Sequence, residues 1–366
     1  MGSAVTVGIW AFFVALSLWP PVRAGRWGSV VSLLTMAMNE IPSVLLAVFA
    51  ASMAASALDA SFPQPTWPGA VLAGFVGIGL VWLQVRAHSA GESLGAALGL
   101  DPARIGTARV WLGGILMPFQ RHRRDVERIR NLAYGPDRRW HRLDVYRGRG
   151  ETVDRPVLIH LHGGGFVQGG RSREGVVLLN QLAAHGWLCL SADYRLRAAG
   201  AYPNPLVDTK RVIAWVREHA AEYGADPGRI FLAGASAGGH LAVSAALSRD
   251  CANLQPGFAD SNTEVAGVVV LYGYLGPRTD DPASSPAALI RRDAPPMLFI
   301  HGAHDTMVPP AGPRSVAVAL REVSRSPVVW VELPHTQHSF DFFGSVRTRM
   351  TAEAIEVFLE RLSDPT

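Results

Sequence analysis

"RIFLAGASAGGHLAVSAAL" (229–247) decides the fold. Its first residues are apolar and strand-like, its last are rich in alanine, leucine and valine, and Gly234-Ala235-Ser236-Ala237-Gly238 joins the two halves. A strand that turns into a helix within so few residues needs small side chains, because the chains on either side approach closely. A serine in so sharp a turn adopts a strained backbone. The new helix also directs unbonded N–H groups at it. The G-x-S-x-G pattern alone is weak, and its strand–turn–helix setting supplies the specificity.

Working outward, short apolar runs recur: "RWHRLDVYR" (139–147), "PVLIHLH" (156–162), "WLCLSA" (187–192), "VAGVVVLYG" (265–273), "PMLFIHG" (296–302) and "VVWVELP" (328–334). Helix-length segments separate most of them, at 173–185, 205–222, 237–249, 311–323 and 345–362. Strands alternating with helices predict an α/β fold with a mostly parallel central sheet covered by helices on both faces. "GPRTDDPASSPAALIRRDAP" (276–295) reads as a loop-rich excursion.

A second glycine cluster lies in "LIHLHGGGFVQGG" (158–170). In open α/β sheets, sites form beyond the carboxyl ends of strands, which is where Gly163, Gly164 and Gly165 fall. A phosphate loop would close on Gly-Lys-Ser/Thr, which is missing here, and a dinucleotide fingerprint would need glycine where Gln168 stands. A developing negative charge is the remaining use for so exposed a backbone. Serine needs a base and an orienting acid to become a nucleophile. "AHDTMVPP" (303–310) puts Asp305 at a strand end, and "HTQHSFDFF" (335–343) offers His335 and His338. Serine, acid, histidine is the chain order expected of this arrangement. Asp341 is the reserve acid, too close to His338 in sequence for the expected loop. His162 is expected behind the glycine loop, His240 on the serine's helix, and His301 and His304 in loop packing.

Residues from about 140 to 362 resemble an α/β-hydrolase esterase of the hormone-sensitive-lipase-like and carboxylesterase group, including membrane-bound bacterial lipases and esterases. "HGGGF" (162–166), "ADYRL" (192–196), "YGADPGRIFLAGASAGGHLA" (223–242), "GAHDTMVP" (302–309) and His338-Ser339-Phe340 carry the resemblance. It implies a serine carboxylic-ester hydrolase with Ser236 as nucleophile, His338 as base and Asp305 as acid. The oxyanion hole it implies is made by the amides of Gly163, Gly164 and Ala237, with His162, Gly165, Gly234 and Gly238 in support. No metal or organic cofactor is implied. Two departures bear on the substrate: Ala235 stands where the group usually carries an acid, and "GAHDTMVP" looks more like small esterases, arylformamidases and prenylcysteine methylesterases. A methylesterase-like or amidase activity on the same residues, or a ligand-binding homologue without catalysis, are the alternatives.

Charged residues make up 17% of the 366, and they are unevenly spread. Before Arg86 the only ones are Arg23, Arg26, Glu40 and Asp59. Three apolar stretches, 4–19, 30–58 and 70–85, approach or exceed the roughly 20 residues that cross a bilayer. We therefore expect residues 1–90 to be a membrane region of about three transmembrane helices, 91–128 amphipathic connecting or cap helices, and 129–366 the catalytic domain. Arg23 and Arg26 in the first connection and Arg86, Arg104 and Arg109 after the third stretch predict a cytoplasmic catalytic domain on a multi-pass protein. Glu40, beside Pro42, is expected at a kink or in a structural pair rather than in transport. The basic runs 120–131 and 136–151 fit an anionic bilayer surface better than nucleic acid, whose fold signatures are missing. Expected partners are thus a small-molecule or lipid ester and the bilayer. Cys189 and Cys251 have no metal-ligand spacing. Oligomeric state leaves no mark in the sequence.

Overall fold

The computed structural model describes residues 2–21, 26–58, 66–150 and 153–363. The apolar runs pair into one eight-stranded sheet. Its strands are β1 (Val126–Ala133), β2 (Arg142–Gly148), β3 (Arg155–Leu161), β4 (Leu188–Ala192), β5 (Ala225–Ala235), β6 (Gly267–Leu271), β7 (Met297–Gly302) and β8 (Val328–Leu333). They lie in the order β1-β2-β4-β3-β5-β6-β7-β8. β1 with β2 and β2 with β4 are antiparallel, and every other neighbouring pair is parallel. Every residue of β4, β6 and β7 is buried, as strands covered on both faces require.

Among the described residues the helices are α1 (Gly2–Leu18), α2 (Arg26–Glu40), α3 (Pro42–Leu58), α4 (Trp67–Val85), α5 (His88–Leu98), α6 (Pro102–Ile105) and α7 (Ala108–Leu116). After the first strands come α8 (Val176–Ala184), α9 (Asn204–His219), α10 (Ala237–Leu247), α11 (Ala311–Val323) and α12 (Val346–Ser363). On one side of the sheet Leu206, Ile213, Leu241 and Leu320 join the core; on the other, Leu179, Met350, Ile355 and Leu359 do. Leu94, Leu98, Ile105 and Val110 of the connecting helices belong to that second cluster, so α5, α6 and α7 share a core with the sheet.

The first strand departs from expectation. β1 falls in a basic run read as part of the connecting segment, and it starts three residues before 129. Its pairing is written in charge on both faces: Glu127 pairs with Arg147 (2.8 Å), and Arg128 with Asp144 (2.5 Å), between β1 and β2. A charged outer strand also keeps the sheet edge from recruiting other chains.

The front end departs as well. The second apolar stretch is not one spanning helix: α2 and α3 meet at 82°. Pro42 begins α3, and Glu40, ending α2, is buried against Arg347 of α12 and accepts from Ser345 Oγ at 2.7 Å. One helical run, Trp67–Leu98, is long and apolar enough to cross a membrane, and the bent pair would make a second; α1 is shorter. The expectation of three spans therefore reduces to one or two among the described residues. Arg23 and residues 59–65, which bear on orientation, lie outside those residues.

Candidate active site

Because β3 through β8 are parallel, their carboxyl ends share one rim, and the singled-out residues follow from it. Ser236 sits between β5 and α10 with φ of 52°, a left-handed conformation that a non-glycine residue adopts only under constraint. Its N–H donates to Leu271 O at 2.9 Å, fixing the turn to β6. The flanking glycines are there for close approach. A Cβ on Gly234 would strike the Gly238 carbonyl, and one on Gly238 would strike Leu161 O at the end of β3.

Asp305 follows β7 and His338 follows β8. His338 Nε2 lies 2.9 Å from Ser236 Oγ, and His338 Nδ1 lies 2.6 Å from Asp305 Oδ2. The other carboxylate oxygen of Asp305 accepts the Met307 and Val308 amides at 2.9 and 2.8 Å. Burial opposes the charge of Asp305, but His338 and His301 together outweigh it and hold the acid down at about 2. The structure thus brings Ser236, His338 and Asp305 into one hydrogen-bonded row. His335 stands apart, with its ring 5.3 Å from that of His304. Asp341 accepts from the Tyr272 hydroxyl and from the Gly175 amide (3.2 Å) instead of reaching His338.

The glycine loop leaves β3 beside this row. The point where a Gly163 Cβ would stand is 3.1 Å from Ser236 Cβ. Gly163 corrects the sequence expectation: its N–H donates to Glu174 Oε2 at 2.5 Å and is not open to an oxyanion. The amides of Gly164 and Gly165, both at positive φ, have no acceptor among the described residues. Ala237, opening α10, precedes any carbonyl that its helix offers its N–H. His162 lies behind the loop, stacked on Tyr194 at 4.3 Å, while the Tyr194 hydroxyl donates to the His162 carbonyl. His240 packs edge-on against Phe166 at 5.7 Å on the face of α10.

Two neighbours, Tyr272 and Glu174, escaped the sequence reading, and His301 was read as loop packing alone. His301 Nε2 is 3.3 Å from Asp305 Oδ2, so it touches the acid as well as packing its loop. Tyr272, at φ of 40°, sets its ring edge against His338 at 4.6 Å. Glu174 holds the glycine loop. The spacing of His301 and Asp305 at i and i+4 was a visible signal; Tyr272 and Glu174 follow no local pattern.

Comparison with known proteins bears on the family. The BD-FAE family model matches residues 143–277. "Probable carboxylic ester hydrolase LipM" of Mycobacterium tuberculosis is 35% identical over 330 residues, spanning 79% of this chain and 77% of that protein. "Esterase LipC" of the same organism is 38% identical over 271 residues, 66% of this chain and 67% of that one. Among solved structures, Thermogutta terrifontis esterase 2 phosphoramylated by tabun superposes with a TM-score of 0.57 at 25% identity, covering 67% of this chain and 98% of its own. Matched over most of its length to ester hydrolases and folded as they are, the chain belongs to the α/β-hydrolase family of carboxylic ester hydrolases.

Proposed function

We propose that ester hydrolysis here runs through Ser236 as nucleophile, His338 as general base and acid, and Asp305 as the carboxylate that orients the imidazole. The observation that carries this is the unbroken row from Ser236 Oγ through His338 (2.9 Å) to Asp305 (2.6 Å). Ser236 Oγ attacks the ester carbonyl carbon while His338 Nε2 takes its proton. The C–O bond to the alcohol then breaks, and His338 returns the proton to the departing oxygen. Water repeats the two steps on the acyl-enzyme, releasing the acid and restoring Ser236. Asp305 fixes the Nδ1–H tautomer and stabilises the imidazolium. The Gly164, Gly165 and Ala237 amides receive the alkoxide, each such donor being worth about 2.7–4 kcal/mol in the transition state.

Residues 1–90 are read as the membrane-anchoring region, 91–128 as connecting helices that reach into β1, and the remainder as a cytoplasmic catalytic domain. Exposed Ile9 and Phe12 on α1 and Val71, Ile78 and Trp82 on α4 support the anchor, since water-facing helices rarely leave so much apolar surface bare. A lipophilic ester drawn from the bilayer suits that placement.

Ser236→Ala tests the chemistry. It is expected to cut turnover of p-nitrophenyl esters by about 10⁴-fold or more and to abolish fluorophosphonate labelling. Labelling or turnover that survives in a folded variant refutes the assignment.

A further inference from the structure

Glu174 lies at the end of the glycine loop, two residues before α8 begins, and is half-buried. Its carboxyl and the nucleophile flank the same residue. The point where a Gly163 Cβ would stand is 2.9 Å from Glu174 Oε2 and 3.1 Å from Ser236 Cβ. Oε2 accepts the Gly163 N–H at 2.5 Å, and no other residue in the loop reaches that amide.

We propose that Glu174 is a positioning residue for ester hydrolysis: by holding the Gly163 amide it turns the next two amides toward the reacting carbonyl. The inference rests on the site described under Proposed function.

The charge state follows from the surroundings. The charges that act on Glu174 are those of Asp341, from the segment after β8, and of Arg173 beside it in the loop, and Glu174 in turn acts on Tyr272 after β6 and Tyr194 after β4. Asp341 has two donors, the Tyr272 hydroxyl and the Gly175 amide, whereas Glu174 has the Gly163 amide. Burial pushes both carboxyls up and their charges oppose joint ionisation, while the two donors on Asp341 favour its charged form. Desolvation and the Asp341 charge push Glu174 up to about 7.

Neutral Glu174 keeps the hydrogen bond to Gly163 without setting a negative charge beside the alkoxide. Ionised Glu174 repels that alkoxide. With a raised acid, the neutral form prevails below its pKa and the charged form above, so kcat should decline as pH rises through about 7.

Steady-state pH profiles of the full-length wild type, Glu174→Gln and Glu174→Ala test this. Glu174→Ala should lower kcat by about ten-fold or more with little change in KM, because alignment for the transition state is lost rather than ground-state binding. Glu174→Gln should recover most of that kcat, since its amide oxygen accepts the same N–H, and should lose the alkaline decline. Wild-type kcat in Glu174→Ala, or an alkaline decline in Glu174→Gln that matches the wild type, overturns the proposal. If thermal melting shows Glu174→Ala to be unfolded, the Glu174→Gln profile decides alone. Ser236→Ala keeps the two failures apart: residual turnover there refutes the site, whereas its loss beside unaltered Glu174 variants refutes Glu174 only.

Discussion

Asp305 shows how a single side chain is tuned. Two imidazoles and two amides converge on it, so it stays ionised wherever the fold survives. Its acid is depressed to about 2, below the roughly 3.9 of an unfolded aspartate. Its share of stability is therefore present above about pH 4 and is lost as pH falls toward 2. Asp305→Asn should leave the fold intact yet lower kcat by about 10⁴-fold, because an amide favours the wrong imidazole tautomer. A smaller drop, measured with His301 in place, would mean that His301 shares the orienting work. Ser236, Asp305 and His338 could be singled out as candidates because each lies in the turn or loop that follows a strand whose apolar run marks it. Gly163 was misread because its amide partner, Glu174, lies eleven residues away along an irregular loop, where neither period nor spacing operates.

Secondary structure was legible wherever burial wrote it. β4, β6 and β7 are buried throughout and mostly apolar, and their limits were read to within two residues. β1 was not, because an outer strand sheds the apolar alternation and substitutes paired charges. The break between α2 and α3 had a visible cause in Pro42, but the tertiary contact beside it, Glu40 with Arg347 of α12, had none. That contact is nearly dry, with both side chains 1% exposed. Removing one partner of such a pair strands the other's charge, which costs about 3–5 kcal/mol. Glu40→Ala should accordingly lower the thermal midpoint of the detergent-solubilised protein, and Glu40→Ala combined with Arg347→Met should restore part of the loss. Equal midpoints for wild type and Glu40→Ala would remove the pair from the structural account.

At the scale of the whole molecule, the apolar front end and the α/β body do not divide where composition changes. Leu94, Leu98, Ile105 and Val110 pack with Met350, Ile355 and Leu359, so the connecting helices seal the sheet. A chain lacking residues 1–118 should lose cooperative unfolding and activity together. One lacking residues 1–85 should keep its fold, remain soluble after alkaline carbonate extraction, and hydrolyse acetyl esters better than long-chain ones. The intact chain should stay in the membrane pellet; its release into the supernatant would refute the anchor. Composition reveals the apolar tract, but the packing partners come from α12 near the other end of the chain, beyond the reach of any local pattern.

Thr306, next to Asp305, donates to the Gly28 carbonyl of α2 at 2.8 Å. The loop carrying Asp305 therefore rests against α2, and in the membrane-anchored arrangement proposed above the rim opens beside lipid rather than into bulk water. For such an enzyme the ester content per unit of surface governs encounter, not moles per litre. Diluting a fixed amount of ester with inert detergent or phospholipid should slow turnover as surface dilution does, and an inhibitor's potency should track how strongly it partitions.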